Sequence, residues 1–315
     1  MNKILRIGTR DSQLAVWQSE QVKVRLERTG IDCELLPQKS EGDLRLDQPL
    51  YELGITGIFT RTLDIALLEE RIDIAVHSLK DVPTRLPNGL VLAAVLERGP
   101  SADIVVWKDP NGLASAETTA HIATGSLRRR AQWLHKYPGH QMEDLRGNVQ
   151  TRLHKLANNP WQGAIFAEAG LARMKLLKDL NWKRLDWMLP APAQGIVGII
   201  CREDDSISRE CLASINDQTT HQIALMERSF MRTLEGGCTA PIGAYGSVSG
   251  ESYHLKGCVL SLDGQQCLTD SWQQTGGDPT QMGERCAQEL LEMGASTILQ
   301  EVRVNEPKNS NSPQI

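Results

Sequence analysis

The chain has 315 residues, 40% of them hydrophobic and 23% charged, with a formal net charge of −5 at pH 7. That length accommodates two or three domains, and the composition is that of an ordinary globular protein. The acidic total excludes a general attraction for nucleic acid or anionic membrane, and no apolar run is long enough to span a bilayer.

Ile4–Thr9 is predicted as a first strand, with no long apolar core of a signal peptide ahead of it. A helix should follow from Ser12 to Arg28, with Ser12 as N-cap and Gly30 beyond its end. Phe59, Leu63, Ala66 and Leu67 recur at helical spacing, and Ile72–Val76 behind them reads as a short buried strand. A second unit of the same kind starts near residue 101. It has strands at Ile104–Trp107 and His121–Thr124, and a helix opened by Ser126 and stopped by Pro138. A further helix carries Val149, Leu153 and Leu156 and ends before Pro160, and a strand follows at Ala164–Ala167. Ile196–Ile200 is expected to return the chain to the first unit. The expected fold is therefore α/β, with two doubly wound lobes: residues 1–97 with 196–215, and residues 100–192.

From about residue 218 the pattern changes. Ile223, Met226, Phe230 and Leu234 form one helical face, which Gly236-Gly237 should close. Tyr245–Trp272 reads as antiparallel strands with Asp263-Gly264 as a hairpin turn, and a last helix starts at about Pro279. This segregation predicts a small α+β domain over 218–303, with a disordered polar tail at 304–315.

Local chemistry concentrates at a few loops. In Thr124-Gly125-Ser126-Leu127-Arg128-Arg129-Arg130, arginines occupy the first turn of a helix, where positive charge opposes the helix dipole. An anion bound at that N-terminus would explain them; so would a solvated basic face. Arg146 and Arg152 around a second helix start, Arg10 after the first strand, and Arg173 after a strand–loop segment fall at the same kind of edge. A cleft between lobes lined this way would suit a ligand with several carboxylates. Lys80 and Asp81 follow the strand at 72–76 and would reach that edge, with a simple strand-end turn as the bland alternative. The seven cysteines are Cys33, Cys201, Cys211, Cys238, Cys258, Cys267 and Cys286. They form no C-x-x-C pair, which argues against a zinc site or disulfide framework and suits a reducing cytoplasm. Cys238, on the Gly236-Gly237 loop, is the one presented for nucleophilic chemistry. No metal site, P-loop or dinucleotide fingerprint is present.

Five segments together resemble the porphobilinogen deaminase family, in the right order and over nearly the whole chain, Leu5 to about Val302. They are Arg6-Ile7-Gly8-Thr9-Arg10-Asp11-Ser12, Ile74-Ala75-Val76-His77-Ser78-Leu79-Lys80-Asp81-Val82-Pro83, Ser126-Leu127-Arg128-Arg129, Leu145-Arg146-Gly147-Asn148-Val149-Gln150-Thr151-Arg152, and Leu234-Glu235-Gly236-Gly237-Cys238. The resemblance implies two periplasmic-binding-protein-like lobes and a third α+β domain. It implies a cytoplasmic, monomeric transferase that joins four porphobilinogen molecules into hydroxymethylbilane, with no nucleic-acid or membrane partner. The implied cofactor is a dipyrromethane held by Cys238 through a thioether. Asp81 then matches the catalytic carboxylate. Lys80, Asp81, Thr124, Ser126, Arg128 and Arg129 match cofactor contacts, and Arg10, Ser12, Arg146, Arg152, Arg173 and Gln194 match substrate contacts.

Two departures remove positive charge. Gly54-Ile55-Thr56-Gly57 has Thr56 where the family commonly has lysine, and Ser40-Glu41-Gly42-Asp43 has Glu41 where it usually has arginine. Arg61 or Arg45 is expected to supply the missing cation. Unchanged Michaelis constants in both Arg61→Ala and Arg45→Ala would remove that expectation. A solute-binding protein for a small anion is the main rival reading, although it would need neither Cys238 nor a third domain. A pseudoenzyme relative is a weaker rival, since Asp81, Cys238 and the main arginines are all retained.

Overall fold

The first lobe is built on a strand that carries the chain's first apolar run. The computed structural model describes residues 4–38, 60–109, 119–234 and 240–305. β1 (Leu5–Arg10) leads into the helix Gln13–Arg28, whose start is fixed by the Ser12 hydroxyl accepting the Ala15 amide at 3.4 Å. β2 (Cys33–Gln38) lies parallel to one side of β1, and β3 (Ile74–Ser78) parallel to the other. The helix Arg61–Leu68 lays Leu63, Ala66 and Leu67 on the sheet. β3 starts two residues later than the apolar run suggests. Asp73 faces back, its carboxylate accepting the Arg6 amide at 2.9 Å and guanidinium at 2.8 Å. After a single 3-10 turn at Leu79–Asp81 comes β4 (Leu90–Val95), formed by the unbroken apolar run Leu90–Leu96 that sequence reading passed over.

The second lobe repeats the plan. β5 (Asp103–Trp107) precedes β6 (His121–Ala123) and the helix Leu127–Lys136, followed by β7 (Gln141–Glu143) and the helix Val149–Asn158. β8 (Gly163–Ala167) runs straight into the short helix Glu168–Arg173, and β9 (Asn181–Arg184) closes the lobe. β10 (Val197–Arg202) then crosses back, as expected. The sheet orders are β2-β1-β3-β10-β4 and β7-β6-β8-β5-β9. Each has three parallel strands, then one antiparallel strand contributed from across the lobe boundary, then an edge strand. Each sheet carries an apolar cluster on both faces, which is why its strands read as apolar runs without alternation.

The two crossings pair with one another. The Leu96 amide donates to Val197 O at 3.0 Å and the Gly99 amide to Gly195 O at 3.1 Å. Gly195 has φ +87°, and a Cβ there would stand 2.7 Å from Gly99 O, so this contact between backbones requires glycine.

In the third unit, β11 (Ile242–Ser249), β12 (Ser252–Leu260) and β13 (Cys267–Thr275) form an antiparallel sheet in chain order. The helices Gln218–Thr233 and Pro279–Leu290 pack against it around Phe230, Leu255, Met282 and Cys286. Ile223 and Ala224, near the start of the first of these helices, pack instead into the first lobe. The Asp263-Gly264 hairpin is wider than a two-residue turn. Strands stop at Leu260 and restart at Cys267, because the Ser261 amide bonds Gln266 O at 3.0 Å and Asp263 accepts the Ser261 hydroxyl and the Gln265 amide. Its tip docks on the second lobe, where His135 Nδ1 and Gly264 O are 2.8 Å apart. The last helix, Ser296–Asn305, continues two residues into the segment expected as tail. Phe59 and Gly236-Gly237 lie outside the described residues. No described helix is long and apolar enough to cross a membrane.

Candidate active site

The cleft between the lobes is lined where the parallel strands end. Arg10 is the last residue of β1, Ser12 caps the next helix, and the 3-10 turn after β3 presents Lys80 and Asp81. The opposite wall comes from the second lobe. Arg129 sits in the first turns of the helix Leu127–Lys136, and Arg146 and Arg152 flank the start of the helix Val149–Asn158. That helix start is set by Asn148, which accepts the Thr151 amide at 2.9 Å, and Arg152 Nε donates to Gly147 O at 2.7 Å. Arg173, at the end of the helix Glu168–Arg173 rather than in a loop, donates to Gly195 O at 2.7 Å. Its guanidinium lies 5.7 Å from the Trp17 ring centre. Gln194 enters from the crossing segment.

The charge balance is lopsided. Among the described residues, Arg10, Lys80, Arg129, Arg146, Arg152 and Arg173 line the cleft, against the single carboxylate of Asp81. Burial, reinforced by Arg129, pushes the Lys80 ammonium down to about 8, while Asp81 and Asp103 oppose that shift. Arg152 is pushed down to about 10 by burial and then by Arg129, and Arg173 to about 10 by burial. His77 is lowered to about 3, by burial first and Arg10 second, so its ring is neutral at pH 7. Its buried Nε2 has no hydrogen-bond partner among the described residues. Cations crowded enough to depress one another call for an anionic guest. A chain of pyrroles with two carboxylates on each ring has the chemistry these residues fit.

Three of the expected contact residues are engaged elsewhere. Arg128 does not line the cleft: its Nη1 donates to Asp103 at 2.7 Å and to Leu189 O at 2.6 Å. Ser126 is the helix N-cap and accepts the Arg129 amide at 3.4 Å, while the Thr124 hydroxyl accepts the Ser126 amide at 3.3 Å. Arg128 and Arg129, two of the arginines that oppose the helix dipole, thus share the Asp103 carboxylate. Burial alone would raise the Asp103 carboxyl, yet the guanidinium groups of Arg128 and Arg129 hold it well below the usual carboxylate range. Gln194 lines the cleft, but its amide already bonds Ser101 O, Asp103 and Lys80.

Asp103 is the polar residue that sequence reading passed over; its signal was an acid directly before the apolar run Ile104–Trp107. Gln13, Gln18 and Gln150 were passed over too. Gln150 Nε2 donates to Gln13 Oε1 at 2.7 Å from one lobe to the other, and Gln18 bonds Ser78 at 2.9 Å. Amide side chains within helices give no distinguishing pattern, whether exposed like Gln13 and Gln150 or buried like Gln18. Cys238, Thr56, Glu41 and Arg45 lie outside the described residues, and Arg61 opens the helix Arg61–Leu68 as an exposed residue.

Residues 5–210 match the family described as "Porphobilinogen deaminase, dipyromethane cofactor binding domain", and residues 221–292 match "Porphobilinogen deaminase, C-terminal domain". The chain is 40% identical over 308 residues to the porphobilinogen deaminase of Moorella thermoacetica, covering 96% of this chain and 98% of that one. It is 39% identical over 310 residues to the porphobilinogen deaminase of Desulforamulus reducens, covering 97% and 100%. Among solved structures, the methionine-binding protein MetQ is 13% identical over 71% of this chain and 94% of that one, with a TM-score of 0.44. With two family domains matched in order and relatives aligned almost end to end, this chain belongs to the porphobilinogen deaminase family.

Proposed function

We propose that this chain is a transferase that condenses four porphobilinogen molecules head to tail, with loss of ammonia at each step, and then releases hydroxymethylbilane by hydrolysis, water supplying its hydroxyl group, for tetrapyrrole synthesis. The observation that carries this reading is the cleft with six cations and one carboxylate. Each added pyrrole brings an acetate and a propionate, so the growing product needs many cationic partners and few other groups. When bound, the dipyrromethane supplies the primer pyrrole to which the first substrate is joined.

In each condensation the C–N bond of the aminomethyl group breaks, a C–C bond forms to the terminal pyrrole carbon, and that carbon gives up its proton. Asp81 faces the positive charge that develops as ammonia leaves, and its carboxylate takes part in the proton transfers. Arg10, Arg129, Arg146, Arg152 and Arg173 bind the acidic side arms, with Ser12 as a neutral donor. Lys80 adds an ammonium beside Asp81. Arg128, Ser126 and Thr124 act from behind, by fixing the helix that carries Arg129.

Cys238 is the proposed thioether anchor. The six other thiols support this reading by their environments, since each is pushed up by burial: Cys33 and Cys201 to about 11, Cys258 and Cys286 to about 12, and Cys211 and Cys267 in the same direction. A thiol so placed is a poor nucleophile at neutral pH. The test is the intact mass of the purified chain beside Cys238→Ser, before and after incubation with porphobilinogen. The parent should carry the added mass of two linked pyrroles and Cys238→Ser should carry none. A parent chain with no added mass, even after incubation, would sink the reading in favour of an anion-binding protein.

A further inference from the structure

We propose that Asp103, which lies behind the cleft wall and does not line it, is a positioning residue for the cleft's cations: it orients Arg129 directly and Lys80 through the Gln194 amide. The inference rests on the cleft being the site of condensation, and it assigns a role to a carboxylate that touches no ligand.

The geometry leaves each group one arrangement. Asp103 is fully buried at the start of β5 in the second lobe. Its Oδ2 accepts Arg128 Nη1 at 2.7 Å; its Oδ1 accepts Arg129 Nε at 3.0 Å and Nη2 at 2.8 Å. Arg129 Nη1 is tied to Ile165 O at 3.2 Å, so the guanidinium plane is set from both ends. The Oδ1 atom also accepts Gln194 Nε2 at 2.9 Å, and Ser101 O accepts the same nitrogen at 2.8 Å. With both amide hydrogens pulled toward the second lobe, Gln194 Oε1 must face the other way. There it accepts Lys80 Nζ at 3.1 Å, from the first lobe. A flipped amide would set NH₂ against an ammonium and a carbonyl against a carboxylate, losing three hydrogen bonds at once. Asp103 therefore decides which way the amide points, and the amide decides where Lys80 rests.

The same arrangement bears on the charge of Lys80. It is faced by Asp81 beside it, by Arg128 and Arg129 from the helix Leu127–Lys136, and by Asp103 from β5. Burial and the two arginines favour the neutral amine, whereas Asp81, Asp103 and the Gln194 carbonyl favour the ammonium. Taking away Asp103 or the amide leaves the discharging influences in place, so the proton should be lost at lower pH.

The experiment is chemical titration of Lys80 in the full-length chain. Acetylation by acetic anhydride is followed across pH by peptide mass, with the exposed Lys178 as internal reference, in the parent, Asp103→Asn and Gln194→Met. The parent midpoint sets the reference, and the carboxylates of any bound pyrrole act on it alike in all three chains. The midpoint should fall by about 1 pH unit in Asp103→Asn and by about half a unit in Gln194→Met, with the alkaline limb of kcat/KM moving down in step. An unchanged midpoint in Gln194→Met, which leaves both arginines on Asp103, overturns the proposal, whether or not Asp103→Asn folds. Acetylation needs no turnover, so a parent chain that consumes no porphobilinogen refutes the reading of the reaction and not the placement of Lys80.

Discussion

Replacing Asp81 with asparagine is expected to lower turnover by about 10²–10⁴-fold while the chain stays folded. Asn keeps the size of the side chain and a hydrogen-bonding group but removes the charge. Asp81 is the one carboxylate among the described residues lining the cleft, and it opposes the lowering that burial imposes on its cationic neighbours Lys80, Arg129 and Arg152. No other acid lining the described cleft walls is available to face a developing cation or to move a proton. Stability should change little, because Asp81 sits half-buried on a 3-10 turn whose backbone is held by Val82 donating to Leu79 O at 3.2 Å. Steady-state turnover of porphobilinogen, with urea unfolding as the control for the fold, checks both halves. Turnover within a few-fold of the parent would take Asp81 out of the chemistry.

The second large effect falls on stability, with Glu227→Ala expected to cost about 3–5 kcal/mol. Glu227 is fully buried in the helix Gln218–Thr233 and ties the third unit to both crossing segments. Its carboxylate accepts Arg98 at 2.6 Å from the first crossing, the Ala193 amide at 2.6 Å from the second, and the Gly246 amide at 2.6 Å from β11. Arg98 in turn donates to Gln194 O at 3.0 Å and lies 5.0 Å from the Tyr245 ring centre. Truncation orphans two buried amides and strips a guanidinium of its counter-charge, which is far worse than never having built the pair. Glu227→Gln retains acceptor capacity on one atom and should cost less. A urea unfolding midpoint for Glu227→Ala equal to the parent's would show that the clamp contributes nothing.

Arg128 shows how far local pattern reaches. A run of arginines at a helix start is an electrostatic anomaly that the sequence displays openly, and the need for a neighbouring anion follows from the helix dipole alone. Which anion answers it is a separate matter. For Arg128 it is Asp103, 25 residues away and buried beneath the same helix. Arg129, one position on, pairs with the same carboxylate and also borders the cleft. Neighbours along the chain thus have different duties because successive helical positions point about 100° apart. The start of β3 was misplaced for a similar reason: Asp73 interrupts the apolar run to pair with Arg6, 67 residues earlier.

By itself, the sequence determined the elements with strong local signals. Ser12 and Ser126 open helices where their hydroxyls predicted, Pro138 and Pro160 lie just beyond helix ends, and the switch near residue 218 from α/β alternation to segregated strands marks the third unit. It also carried the family, because motifs such as the run from Ile74 to Pro83 are contiguous in the chain. Tertiary structure alone supplied the Glu227 clamp and the path from Asp103 through Gln194 to Lys80. Each of these joins residues dozens to more than a hundred positions apart. Periodicity and capping report how a segment meets its own neighbours, whereas a buried charge is placed by whatever partner the fold brings to it.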